Sequence, residues 1–408
     1  MKVDTMRRVD RWVGIPLTFL LTIFIKFKEF FLPSKEKAPK KILFIELSEM
    51  GSTILADPAM RKAKAFADAE LYFLIFKKNK ASLDLIGTVA QENIFTIRED
   101  GLFPLTLDTI SILRTINRLN IDTVVDLELF SRFTALLTGL SGAVNRVGFY
   151  SFHNEGLYRG ELLTHKVAYN PHIHIAKNFV ALINSLATPK PEIPYSKQIV
   201  NDNEITLPTI EYSENQLNEM HEKVKTFYDQ YDHQTHRLVL INPNASELLP
   251  QRRWMRDRYE ALITKILAQS DNIIILITGA PSEAPESEEM CTNVNNERCV
   301  NFAGALTLAQ LPVLYNISAL MVTNDSGPGH FSSITPMHTF VIFGPETPNL
   351  YGSLGNSTSI FAGLTCSPCV SAANHRKTPC SDNRCLQVIT MEQVFETIEP
   401  TLRDCLDK

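Results

Sequence analysis

Short apolar runs alternating with longer helical patterns constrain this chain more than any other feature. The runs at 41–47, 71–76, 93–97 and 123–127 are long enough only for buried strands. Helical patterns at 58–67, 107–119 and 131–140 fall between them, and Arg146-Val-Gly-Phe-Tyr continues the series. Such alternation predicts a parallel sheet with helices on both faces. A polar stretch rich in Asn, Glu and Pro, about 188–236, interrupts the pattern. It resumes at Arg237-Leu-Val-Leu-Ile-Asn, then a helix at 256–268, a strand at 272–278 and a helix at 302–314. Strands at 319–322 and 339–343 close it, with a helix starting at Phe331 between them. A length of 408 residues also calls for two domains. The expectation is an α/β chain with two Rossmann-like domains facing one another across a cleft. The first is placed at 41–195 and the second at 237–408, with 196–236 as linker.

The chemistry converges on Ala319-Leu-Met-Val-Thr-Asn-Asp-Ser-Gly-Pro-Gly-His. A buried strand here breaks into a cluster of turn formers and restarts as a helix, a pattern that offers backbone N–H groups to phosphate. Asp325 stands at the carboxyl end of the strand, where open α/β sheets bind ligands. Asn324, Asp325, Ser326, Gly327, Pro328, Gly329 and His330 are therefore candidate ligand-binding residues, and the loop after 237–242 adds Asn244 and Ser246. Arg252 and Arg253, in the loop from 247 to 254, are candidates to neutralise a diphosphate, because a guanidinium binds phosphate oxygens bidentately. The loop at 48–53 has one glycine and no G-x-G-x-x-G pattern, so a dinucleotide is disfavoured.

Residues 12–25 are uncharged and would extend about 21 Å as helix, against roughly 30 Å of bilayer hydrocarbon. Basic residues flank them on both sides: Lys2, Arg7, Arg8 and Arg11 before, Lys26, Lys28, Lys35 and Lys37 after. Both flanks thus prefer the cytoplasm, favouring a helix that lies in the inner leaflet over one that spans it. Residues 1–40 are read as a membrane-associating helix and tether, with a single span as the other option. A net charge of −5 gives no case for nucleic acid. Of seven cysteines, Cys366, Cys369, Cys380 and Cys385 crowd into one segment. Four thiolates at that spacing suit a structural zinc, and reduced thiols are the alternative.

The motifs Ser48-Glu-Met-Gly, Pro58-Ala-Met-Arg, Asn242-Pro-Asn-Ala, Arg252-Arg-Trp, Phe302-Ala-Gly, Asn324-Asp-Ser-Gly-Pro-Gly-His and Phe343-Gly-Pro-Glu-Thr-Pro occur in an order that resembles family 9 glycosyltransferases. These are the ADP-heptose:lipopolysaccharide heptosyltransferases and their relatives, and the resemblance runs over about 41–400. It implies a GT-B architecture, an inverting transfer without metal or other cofactor, and a nucleotide-sugar donor held mainly by the second domain. It further implies a lipid-linked saccharide acceptor at the cytoplasmic face of a bacterial inner membrane, in lipopolysaccharide-type envelope synthesis. By position, Asp325 would hold sugar hydroxyls, Ser326 and Gly327 would donate to the diphosphate, His330 would shape the pocket, and Arg252 would neutralise the leaving phosphate.

One position departs from the pattern. After the glycine of the first loop the family has an aspartate that deprotonates the acceptor, whereas this chain has Ser52, a poor base. Glu49 on the same loop is the nearest replacement, with Glu46 and Asp57 as other carboxylates. Two rival readings stay open: a nucleotide-sugar epimerase on the same architecture, and a non-catalytic sugar-nucleotide-binding scaffold, which Ser52 favours.

Overall fold

The computed structural model describes residues 3–32, 37–129, 131–153, 157–188, 191–246, 249–371 and 376–407. Residues 33–36 of the expected tether, 247–248 of the arginine loop and 372–375 of the cysteine segment lie outside them. The chain divides into two compact units, the first reaching Thr206 and the second beginning at Leu207.

The first unit opens with α1 (Val3–Trp12) and α2 (Gly14–Phe31). It continues as β1 (Lys41–Ile45), α3 (Met50–Ala67), β2 (Glu70–Phe76), α4 (Ala81–Ile86), β3 (Ile94–Ile97) and α5 (Leu102–Leu119). Then come β4 (Thr123–Asp126), α6 (Arg132–Leu140), β5 (Asn145–Phe149), β6 (His165–Val167) and α7 (Ile175–Leu186). The six strands form one parallel sheet in the order β3-β2-β1-β4-β5-β6. Chain direction across the sheet reverses between β1 and β4, so their carboxyl ends flank a crevice suited to a ligand. Leu43, Ile45, Leu74, Ile116 and Val124 are among the side chains that fill its core. Two boundaries differ from expectation. The helix read at 58–67 already begins at Met50, which puts Ser52 and Thr53 in its first turn, and α5 begins at Leu102 rather than 107.

The N-terminal helices are fastened to α6. Asp10 Oδ1 accepts from the backbone N–H groups of Arg132 (2.8 Å) and Phe133 (3.0 Å), satisfying two orphan donors at the start of α6. Asp10 also pairs with the Arg132 guanidinium at 3.1 Å. Gly160 sits at φ +76° against α2, where a Cβ would lie 2.6 Å from Thr22 Oγ1 and 2.9 Å from the Thr18 carbonyl oxygen. At the far end of α2, Glu29 pairs with Arg146 at 2.7 Å. The opposite side of the helix carries Phe19, Leu20, Ile23, Phe24, Phe27, Phe30 and Phe31, all exposed, beside Trp12 at 74% exposure. No described helix is long and apolar enough to cross a membrane, which removes support from the single-span option. Lys26, Lys28 and Glu29 cut the apolar run short.

The second unit contains α8 (Glu214–Lys225), β7 (Arg237–Asn242), α9 (Arg256–Leu267), β8 (Ile273–Ile277), α10 (Ala284–Val294), β9 (Cys299–Asn301) and α11 (Leu311–Asn316). It continues with β10 (Leu320–Asn324), α12 (Gly327–Phe331), β11 (His338–Phe343), α13 (Pro348–Tyr351), β12 (Ser357–Phe361), α14 (Arg384–Gln387) and α15 (Met391–Leu406). Its parallel sheet runs β12-β11-β10-β7-β8-β9, repeating the first unit's plan with the reversal between β10 and β7. Ile273–Ile277 is wholly buried, as a central parallel strand must be. The helix read at 302–314 begins only after Thr307, whose capping box with Gln310 opens a 3-10 turn, Leu308–Gln310, that leads into α11 at Leu311. The helix expected from Phe331 instead ends there as α-helix. It starts four residues earlier, at Gly327, with Pro328 pre-set for its first turn.

Candidate functional site

In the second unit the loops after β7 and β10 are tied together by one side chain. Asn324 is fully buried; its Oδ1 accepts from Trp254 N–H (3.0 Å) and from Tyr259 O–H (3.1 Å), and its Nδ2 donates to the Pro243 carbonyl (2.7 Å). Both ends of the amide are thus spent inside the protein. Asn324 is placed to position the loops rather than to touch a ligand.

That tie sets Arg252 beside Asp325. The Arg252 guanidinium donates to Glu346 Oε2 at 2.6 Å, and its Nε lies 3.4 Å from Asp325 Oδ2 without hydrogen-bond alignment. Asp325 and Glu346 are only 4% and 2% exposed. Burial alone would lower the Arg252 pKa, but the two carboxylates outweigh it and raise it. Burial pushes Glu346 up to about 8, with Arg252 opposing the rise and Asp325 adding to it. Arg252 Nε, Asp325 Oδ2 and Glu346 Oε1 are buried with no hydrogen-bond partner, so the cluster keeps both donor and acceptor capacity in a dry setting. At its edge Arg376 lies 3.4 Å from Glu346 Oε1 and stacks over the Tyr351 ring at 5.0 Å.

The other predicted residues divide. Arg253 donates to the Ala245 carbonyl at 3.1 Å, so of the two arginines only Arg252 joins the carboxylates. In the 325–330 loop, the Asp325 N–H is spent on the Ile342 carbonyl and the Gly329 N–H on the Ser326 carbonyl, and Pro328 has none. Ser326 and Gly327 remain as the loop's amide donors. Ser326 Oγ lies 3.2 Å from the Asn324 carbonyl, His330 is buried in α12, Asn244 is buried, and Ser246 is exposed. Glu346 stands in the Phe343-Gly-Pro-Glu-Thr-Pro motif, where residue type alone gives it no role. In the structure it completes the cluster.

In the first unit Glu49 is the N-cap of α3, and Ser52 Oγ donates to its Oε2 at 3.2 Å. These two predicted residues are therefore neighbours at the carboxyl end of β1. Asp57 is fully buried and committed to Arg61 (2.8 Å) and Thr88; Glu46 is buried as well. A further carboxylate, which no sequence motif marks, links the segments that follow β1 and β4. Glu128, following β4, accepts from the N–H groups of Leu47 (3.1 Å) and Ser48 (3.2 Å) and from Ser48 Oγ (2.8 Å). Behind it Asp126 pairs with Arg159, and burial still pushes its carboxyl up to about 6.

The cysteine segment does not gather into a ligand set. Among the described residues no group of three or more His, Cys, Asp or Glu side chains could hold a metal ion. Cys385 is instead part of the second unit's apolar core, while Cys369 Sγ lies 3.3 Å from Thr378 Oγ1.

Comparison with known proteins bears on the family and the fold. The family profile for glycosyltransferase family 9 (heptosyltransferase) matches residues 110–378, well over half of the chain. Lipooligosaccharide heptosyltransferase 2 of Campylobacter jejuni is 26% identical over 171 residues, covering 40% of this chain and 51% of that protein. The chain thus spans about half the length of that curated relative. Among solved structures, Escherichia coli ADP-heptose lps heptosyltransferase II superposes with TM-score 0.67 at 19% identity, over 89% of this chain and 99% of that one. A family 9 glycosyl transferase from Veillonella parvula gives 0.69 at 17% identity, over 91% and 99%. Those likenesses establish the fold, two parallel-sheet α/β domains of the kind found in GT-B heptosyltransferases. With the matching profile and the loop motifs in place, the chain belongs to glycosyltransferase family 9, the heptosyltransferase family.

Proposed function

We propose that the protein is an inverting glycosyltransferase of lipopolysaccharide-type envelope synthesis. It moves heptose or a related sugar from a nucleotide-sugar donor to a lipid-linked saccharide at the cytoplasmic face of a bacterial inner membrane. The observation that carries this reading is the buried Arg252 guanidinium between Asp325 and Glu346, at the carboxyl end of β10. When a nucleoside diphosphate leaves, negative charge builds on its oxygens. A cation already fixed in a dry site stabilises that charge without reorganisation. Arg252 takes this role in the reading, with the amides of Ser326 and Gly327 beside it and Asp325 turned to the sugar hydroxyls. The guanidinium supplies the charge compensation, so transfer needs no metal.

On the acceptor side Glu49 is assigned as base. Its partner Ser52 donates to its Oε2, a contact that helps to orient the carboxylate. Membrane attachment rests on the outer side of α2. Its exposed aromatic and aliphatic side chains lie beside Arg7, Arg8, Arg11, Lys26 and Lys28, the composition of a helix that lies in an anionic interface. Confinement to the bilayer raises the effective concentration of a lipid-linked acceptor.

The test is a transfer assay with the full chain, a panel of nucleotide sugars and vesicles carrying a lipid-linked core saccharide. The reading expects acceptor-dependent release of nucleoside diphosphate, and a Glu49→Gln variant that binds donor normally but turns over at least 100-fold more slowly, the scale of a lost general base (about 10²–10⁴-fold). Release of a free altered sugar without acceptor would instead identify an epimerase. Donor binding with no turnover under any condition would identify a scaffold.

A further inference from the structure

Two carboxyl groups compete for the Arg252 guanidinium. Both carboxyl groups beside it are almost wholly buried, one guanidinium lies between them, and the two carboxyls are within hydrogen-bonding reach of one another. Asp325 Oδ2 and Glu346 Oε1 each lack a donor. Two buried acceptors that face one another without a proton repel; with one proton between them they form a hydrogen bond. Among the described residues, the remaining charged and titratable groups beside Glu346 are Arg376, 3.4 Å from its Oε1, and Tyr351 beneath the Arg376 guanidinium.

We infer that Glu346 and Asp325 share a single proton in the nucleotide-binding form of the protein, so that Glu346 releases Arg252 to an incoming diphosphate instead of competing with it. The inference rests on the donor reading proposed above and adds Glu346 as a positioning residue, one that acts through Arg252. Its logic is a competition. With both carboxyls ionised, Glu346 is held between the Arg252 and Arg376 guanidiniums, and an entering diphosphate must displace it from Arg252. With one proton shared, the arginine is balanced by a single carboxylate and its second edge is available to phosphate. A proton taken from solvent by Glu346 therefore accompanies nucleotide binding wherever the free protein has lost it. In that range, affinity falls by up to tenfold for each pH unit, the slope of a one-proton linkage.

The experiment is calorimetric titration of the full chain with ADP, GDP and UDP between pH 6.5 and 9.5. At the alkaline end it is repeated in two buffers of different ionisation enthalpy, to count protons. The expected result is a dissociation constant that is flat at low pH and weakens by about tenfold per pH unit at the alkaline end, with uptake approaching one proton per nucleotide. Glu346→Gln, which cannot ionise, is expected to hold the low-pH affinity across the range and to take up no proton. A wild-type affinity that is flat to pH 9.5, or binding without proton uptake, overturns the inference while leaving the donor reading intact. That measurement needs no variant, so it decides the matter even if Glu346→Gln fails to fold. Failure of all three nucleotides to bind at any pH would overturn the donor reading, and this inference with it.

Discussion

Removing the Asn324 side chain should loosen the second unit by an amount that can be worked from its bonds. Asn324→Ala strands the Trp254 N–H and the Tyr259 O–H, both at buried residues, and leaves the half-buried Pro243 carbonyl to water. An unmet buried donor costs about 1–3 kcal/mol, so the two together predict a loss of roughly 2–6 kcal/mol. Tyr259→Phe alone removes one hydrogen bond and should cost about 1 kcal/mol. In the Asn324→Ala background the same change removes a stranded hydroxyl and should cost less, or even help. The double variant is then more stable than the sum of the singles by about 1 kcal/mol or more, the signature of groups in direct contact. The assay is urea unfolding followed by fluorescence of Trp254, with the chain's other tryptophan, Trp12, changed to Phe so that the signal reports the second unit. A loss below about 1 kcal/mol for Asn324→Ala, or strict additivity of the pair, would refute the reasoning.

Two further outcomes follow from the geometry. Gly160→Ala places a Cβ within 2.6 Å of Thr22 Oγ1 at a φ of +76°, so it should weaken the seat of α2 by about 1 kcal/mol or more; faster limited proteolysis within 12–32 would show it, and an unchanged cleavage rate would contradict it. Glu346, pushed by burial from its ordinary 4.5 to about 8, has a native pKa above the unfolded one. Its contribution to stability is therefore full below about pH 4.5 and is lost as the pH rises through about 8. Thermal melts should show wild type losing stability relative to Glu346→Gln across that interval, and parallel curves would contradict the shift.

What is legible in the sequence is mostly local. Strands such as Ile273–Ile277 announce themselves because a strand buried on both faces is apolar throughout. The 324–330 loop shows as a cluster of turn formers, yet that cluster hides the start of α12, since Pro328 begins a helical turn as readily as it breaks one. Long-range partnerships are not legible. Glu346 lies in a motif visible by eye, but its partner Arg252 is 94 residues earlier. Glu128 closes the β1 loop from 80 residues away. Asn324 is conspicuous for the wrong reason: its residue type suits a ligand contact, while its partners Trp254 and Tyr259, 70 and 65 residues distant, make it a buried tie. The cysteines mislead in the opposite sense, because spacing along the chain says nothing of Cys385 turning into the apolar core.

A crystal structure of the chain with ADP bound is the most direct test of the central claim, that Arg252 seats the donor diphosphate. The account predicts phosphate oxygens within about 3 Å of the Arg252 guanidinium, with Glu346 turned from it toward Asp325. Phosphates bound elsewhere, with Arg252 still closed on Glu346, would contradict it.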